Sequence, residues 1–331
     1  MRIESLVRIT GGVLLNTPLV NSINDIKTSS CKIQRENLFI DINNNKEEIN
    51  HALQNGAYAV LTSIIPKIKD KEIAWICVED LNIAIIKLSR FYATNKNFTF
   101  VTLSKVQYKL AKCMQIDKKA KVLSAEPKDA LLEILKAEKN EIFFVINNDF
   151  ITKIDPSITL PKKKIQAAKT LKSGLFHTSF VFNGRYINNI RLSPFFVPFL
   201  CSLIEYLDKL HIEYKIDNFN DFEHFYPQFV NNKLEKKDFG STNKVLIFEK
   251  DFMLFSQEVD FLENNLNNNS LIILLPEGKV LTCKSTKMIY KNFFEIKNLN
   301  DVDFRYALIY GNIKDFEESL KMQENKQMSL F

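Results

Sequence analysis

Residues 98–114 read FTFVTLSKVQYKLAKCM: an apolar run, a short turn and a helical pattern. A strand that turns directly into a helix is a common phosphate site, because the first N–H groups of the helix point outward there. The loop around a phosphate needs glycines, so that the backbone can come close with its N–H groups turned inward. Here the turn is Leu103-Ser104-Lys105 and has no glycine. Thr102, Ser104 and Lys105 bring two hydroxyls and an ammonium, the groups that magnesium and phosphate oxygens use, on a backbone unsuited to the task. With only 8 glycines among 331 residues, the chain has no good substitute loop.

Other reactive residues are scattered. The histidines, His51, His177, His211 and His224, lack a second ligand at metal spacing, so no metal site is expected. Glu79-Asp80 could serve as a base or metal pair, but at a strand end before a helix Asp80 reads more simply as an N-cap. The five cysteines, Cys31, Cys77, Cys113, Cys201 and Cys283, include no C-x-x-C pair. That pattern supports neither zinc nor a disulfide framework, and Cys77 and Cys201 read as reduced core residues. The run FEHFYPQF (222–229) has aromatics without interleaved basic residues, so core packing or a partner face outranks base stacking.

The elements that would position these residues alternate. Segments 36–42, 58–64 and 72–80 read as strands, and 46–57 and 81–95 as helices. A second set follows: strand 98–102, helix 104–115, strand 121–125, helix 127–139 and strand 141–147. The lysine-rich stretch 157–174 reads as a linker or exposed loop. SFVFNGRYINNIRL (179–192) reads as a hairpin turning at Asn183-Gly184, with helix 195–210 after it. The last third holds strand 244–251, a helix through 256–266 and strand 270–276. Residues 321–331 are polar almost to the end and read as a mobile tail. This is an α/β pattern.

Composition excludes several classes. At 46% hydrophobic and 25% charged, the chain can bury sizeable cores, and its length suits two or three domains. The net charge of +6 comes from lysines interspersed with acids, which argues for a solvated surface and against direct nucleic-acid binding. The most apolar segment, 192–207, is short and interrupted by proline, so no membrane span is expected. The N-terminus carries an acid early and has no long apolar region, which leaves a cytoplasmic protein as the expectation.

Three ordered fragments resemble the first domain of the Mur ligases, the ATP-dependent enzymes that add amino acids or dipeptides to UDP-N-acetylmuramic acid. TSSCKIQRENLF (28–39) resembles the family's T-D-S-R-x-v-x-x-G-D-L-F pattern. NGAYAVL (55–61) and VED (78–80) then follow in the family's order and spacing, nearest to the member that adds D-alanyl-D-alanine. The resemblance implies a UDP-sugar site at Thr28, Ser29 and Ser30, where the residues by themselves also allow a plain turn. It also puts the ATP loop, near T-G-S-x-G-K-T, at Thr102, Ser104 and Lys105, where that loop is degenerate. Cys31 stands for the pattern's arginine and Glu36-Asn37 for its Gly-Asp; a thiol cannot bind phosphate bidentately as an arginine fork does. Later segments, 179–192, 211–227 and 244–255, resemble parts of the family's central and last domains, without its H-N-x-x-N signature.

The C-terminus, QMSLF, resembles the sliding-clamp-binding peptide of bacterial replication and repair proteins. In that resemblance Gln327 hydrogen-bonds at a groove rim, Met328, Leu330 and Phe331 fill apolar subsites, and Ser329 lies between them. The other reading is a terminal pair that tucks back onto its own chain.

These readings give four expected segments: a Mur-ligase-like N-terminal domain over 1–96, a reduced central domain over 97–215, a reduced C-terminal α/β domain over 216–320 and a tail over 321–331. The expected function is a non-catalytic homologue, a pseudoenzyme acting as a binding or adaptor protein with no cofactor and with the DNA sliding clamp as a partner. One alternative is a divergent ligase that uses ATP and magnesium on a UDP-linked cell-wall precursor. Another is a sugar-nucleotide sensor.

Overall fold

The computed structural model describes residues 1–158, 168–216, 219–266 and 270–328, with backbone alone at 301, 320 and 322–328. Its contacts gather into two units, Met1–Lys164 with Tyr206–Lys215, and Ile165–Glu205 with Ile216–Phe331.

The first unit opens with α1 (Ile3–Thr10), β1 (Val13–Leu14), β2 (Asp25–Lys27), β3 (Asn37–Ile40), α2 (Lys46–Gln54), β4 (Ala59–Thr62), β5 (Ala74–Cys77) and α3 (Leu81–Asn95). The strands form one sheet in the order β1-β5-β4-β3-β2, parallel except for β1. Successive side chains of a strand point to opposite faces. Leu38 and Ile40 therefore join a core with Leu6 of α1 and Ile85 and Leu88 of α3. Phe39, between them, joins a second core with Val60, Trp75 and the Ile49 and Ala52 of α2. Asp80 caps α3 as expected, its Oδ1 accepting from the N–H groups of Asn82 (2.7 Å) and Ile83 (3.3 Å).

The unit continues through β6 (Thr99–Leu103), α4 (Lys105–Lys112), β7 (Gln115–Ile116), β8 (Ala120–Val122), α5 (Pro127–Lys136), β9 (Ile142–Ile146) and α6 (Asp149–Ile154). Here β6, β9 and β8 make a parallel three-stranded sheet. Leu131, Phe143, Val145 and Phe150 belong to the same buried core as Ile85 and Leu88. The division expected between residues 96 and 97 is therefore not a boundary between units: α3 packs against α1, α5 and α6 at once. β13 (Tyr214–Lys215) pairs antiparallel with β7, which brings 206–215 into this unit.

In the second unit β10 (Lys169–Ser173), β11 (Thr178–Phe182) and β12 (Arg185–Ile190) form an antiparallel sheet. Asn183 (φ 50°) and Gly184 (φ 74°) make its tight turn, both in the left-handed region that a type I′ hairpin requires. The lysine-rich stretch expected to be loop thus ends in an exposed edge strand; its residues 159–167 lie outside the described ones. Next comes α7 (Val197–Lys209), with Cys201 buried and its thiol pushed by that burial up to about 12. Cys77 is half-buried.

A five-stranded sheet completes the unit: β14 (Tyr226–Val230), β15 (Lys244–Glu249), β16 (Leu271–Pro276), β17 (Thr286–Tyr290) and β18 (Tyr306–Tyr310), in the order β14-β15-β18-β16-β17. All are parallel except edge strand β14. Leu246, Phe248, Ile272 and Ile309 face a core with Ile296, Leu299 and Phe316. The opposite face, with Ile247, Ile273 and Leu308, is covered by α8 (Phe252–Asn265). Phe222, Phe225 and Phe229 are buried, so the aromatic run is core. α9 (Ile313–Met328) is helical to its last described residue, where a mobile tail was expected from residue 321. No helix among the described residues is long and apolar enough to cross a membrane.

Candidate binding site

Two places in the first unit decide what this chain can hold. The first is the strand–helix junction. β6 ends at Leu103, α4 begins at Lys105, and Ser104 alone joins them with extended angles (φ −63°, ψ 159°). No loop stands there. Ser104 Oγ accepts from the Gln107 N–H (3.3 Å), and Gln107 Oε1 accepts from the Ser104 N–H (3.0 Å). This capping box uses two of the backbone donors that a phosphate would need. Gln107 is buried in doing so, and Tyr108 beside it is locked by its hydroxyl on the Leu123 carbonyl at 2.6 Å. Thr102 is buried within β6, and Lys105 is exposed as the first residue of α4. Two of the amides that a phosphate-loop nucleotide would use here are thus engaged, and the strand runs straight into the helix.

The second place is a cleft of about 100 Å³ between β2 and α5. Thr28 and Ser29 follow β2 at its rim, and Leu132 and Leu135 of α5 line the other side. Lys27, Lys32 and Lys136 surround it against a single carboxylate, Asp25, an excess of two positive charges. Partial burial pushes Asp25 up. The bond from Lys27, the Ile26 N–H and the charges of Lys27 and Lys136 together outweigh that and hold it below its ordinary 3.8. Among the described residues, the Thr28 and Ser29 hydroxyls have no partner within the protein; Ser29 begins the short 3₁₀ turn 30–32 without capping it. Ser30 departs from the expected trio. It is buried, with its hydroxyl 3.1 Å from His51 Nδ1 and its carbonyl accepting from Asn55 Nδ2 at 3.0 Å. The sequence places the three residues together, but the 3₁₀ turn sends the third one to α2. Cys31 is exposed, and Glu36 holds a left-handed φ of 71°.

A third feature was not legible in the sequence. In the second unit α8 follows β15 over one face of the sheet, while α9 follows the neighbouring β18 over the other. The crevice outside the carboxyl ends of two such strands is where open α/β sheets bind ligands. A cleft of about 380 Å³ lies there, lined by Phe248, Lys250, Gly311 and Asn312. Exposed pairs rim it, Lys236 with Glu317 and Lys250 with Glu223, each at 3.0 Å. Only the strand order, which spans distant segments, reveals it.

Of the C-terminal pentapeptide, Gln327 and Met328 end α9, and Ser329, Leu330 and Phe331 lie outside the described residues. No group of three or more metal-ligating side chains occurs among the described residues.

No family model matches the chain, and no curated protein sequence does. Solved structures do. The MurF ligase from Thermotoga maritima, in complex with ADP, superposes with a TM-score of 0.55 at 12% identity, covering 91% of this chain and 98% of that one. A MurF from Acinetobacter baumannii gives a TM-score of 0.57 at 10% identity, covering 97% of this chain and 98% of that one. The chain therefore has a Mur-ligase-like α/β fold along nearly its whole length.

Proposed function

We propose that this chain is a non-catalytic Mur-like binding protein, and that its ligand is an anionic, UDP-linked cell-wall precursor held at the Thr28–Ser29 cleft. The observation that carries the reading is the capping box at Ser104 and Gln107, which engages two backbone donors where the resemblance puts the ATP loop. The cleft supports the other half. Ammonium groups and unengaged hydroxyls are the donors that a diphosphate and a sugar take up, and Lys27, Thr28, Ser29, Lys32 and Lys136 supply them. The fold supports a sugar-nucleotide ligand by likeness alone.

The test is a thermal melt of the full chain with millimolar UDP-N-acetylmuramic acid and, separately, with Mg-ATP. A ligand at about 100 times its Kd adds roughly 2.7 kcal/mol, which moves a melting temperature by several degrees. The UDP-sugar is expected to shift the melt and to lose that effect in Lys32→Ala. Mg-ATP is expected to leave it unmoved. A shift with Mg-ATP that Lys105→Ala abolishes supports the ligase reading instead, as does phosphate release when precursor and amino acid are both present.

The adaptor part of the reading rests on Gln327–Phe331. Clamp docking as an extended peptide requires the last turn of α9, which holds Gln327 and Met328, to unwind. Capture by the purified clamp is expected to be lost when the chain is truncated after Lys326; equal capture with and without the pentapeptide sinks it.

A further inference from the structure

Asp25 is the one carboxylate that lines the Thr28–Ser29 cleft, among Lys27, Lys32 and Lys136. Side chains alternate along β2. Ile26 turns into the core, so Asp25 and Lys27 share the opposite face. Lys27 Nζ lies 2.5 Å from Asp25 Oδ2, and the Ile26 N–H donates to Oδ1 at 2.8 Å. Both oxygens are thereby held in place. Even against its partial burial the carboxyl stays below its ordinary value, so it is charged at neutral pH. An exposed ion pair of this kind adds little to stability. The Asp25 side chain also keeps 52% of its surface exposed, so it is not covered by Lys27 and can face a ligand.

Resting on the reading of this cleft as a nucleotide-sugar site, we propose that Asp25 determines its specificity: the carboxylate holds down binding of anions with a free terminal phosphate more than binding of a diphosphate diester. A cleft of about 100 Å³ encloses the diphosphate and little more. There a diphosphate diester carries about two negative charges. A free nucleoside diphosphate carries nearly three and a triphosphate nearly four, because a terminal phosphate group bears about −1.5 to −2 near neutral pH.

The lysines attract each of these anions, and Asp25 repels each in proportion to its charge. One unit charge about 4 Å from another in water changes binding by a factor of about five. Asp25 imposes that factor once more for every charge the ligand adds. Thr28 and Ser29 are neutral and hydrogen-bond a phosphate oxygen whatever its charge, so they do not make this distinction. Lys27 is taken by Asp25, which leaves Lys32 and Lys136 as the net charge of the cleft. Without the carboxylate, three ammonium groups favour the most highly charged anion.

The test is the ratio of the affinities for UDP and for UDP-N-acetylmuramic acid, measured by calorimetric titration of the full chain at low ionic strength. The carboxylate of the second ligand is on its sugar, beyond the diphosphate. Asp25→Asn is expected to raise the affinity for UDP about fivefold relative to the UDP-sugar. Asp25→Glu keeps the charge and is expected to keep the wild-type ratio. The fluorescence transition of Trp75, in the same unit, checks that the variants fold. Asp25→Ser removes the same charge and takes the place of Asp25→Asn if that variant does not fold. Binding of the UDP-sugar with the ratio unchanged in the neutral variant overturns the proposal and leaves the ligand of the cleft as read. Binding of neither compound to the wild type removes the nucleotide-sugar reading, and this inference with it.

Discussion

Ser104 does with its own side chain what a bound phosphate otherwise does at a helix start. Removing it separates structure from binding. Ser104→Ala deletes one arm of the capping box, which costs about 1 kcal/mol, or 2–4 °C for a unit of this size. Trp75 is the chain's single tryptophan and is buried in the first unit, so its fluorescence reports that unit alone. The Trp75 transition is expected to fall by that amount with no change in response to Mg-ATP. An unchanged transition would mean the cap contributes nothing to the helix. Glu36 gives a second check. It holds φ at 71°, a conformation that costs a residue with a side chain about 1–2 kcal/mol relative to glycine. Glu36→Gly gives up a side-chain bond with Asn24 and some unfolded-state order, yet is expected to leave the Trp75 transition equal or higher. A fall of several degrees contradicts this.

At the scale of elements, legibility followed local pattern. Strands β3, β4, β6 and β9 were readable as short, largely apolar runs, as strands of a parallel sheet covered on both faces are, and helices α2 and α3 by their 3.6-residue apolar period. β2, β7 and β13 span two or three residues each, too few to show a period; their existence depends on partners distant in sequence. α9 was read as a tail from residue 321 because its polar stretch carries no apolar stripe, yet it continues a helix anchored earlier by Phe316 on Phe248 (ring centroids 5.3 Å). The junction at Ser104 was legible as a missing loop. Its capping box was not read, although Ser104 and Gln107 have the required spacing of three. The hairpin at Asn183-Gly184 was read from two residues, and two residues suffice to test it. Gly184→Val forces a β-branched side chain into the left-handed region and is expected to cost about 1–2 kcal/mol. Hydrogen exchange across 178–190 should rise accordingly; unchanged exchange there argues against the type I′ turn.

For the whole molecule, neither unit is a continuous stretch of chain. Segment 206–215 returns to the first unit after the hairpin of the second, adding β13 beside β7 and a backbone bond from the Asp117 N–H to the Glu213 carbonyl (2.9 Å). Such a return ties the ends of the intervening segment together, and a sequence read in order cannot reveal it, because no local signal marks where a chain changes unit. Ile212 tests the assignment. It is buried at 6% exposure, and truncating such an aliphatic side chain costs about 2–5 kcal/mol through lost burial and the cavity left behind. Because Ile212 belongs to the unit that contains Trp75, Ile212→Ala is expected to lower the fluorescence transition of Trp75, a residue far from it in sequence. If calorimetry shows destabilisation while the Trp75 transition stays in place, residues 206–215 stabilise the other unit. The domain order expected from sequence, with a boundary at 215/216, would then need a different explanation.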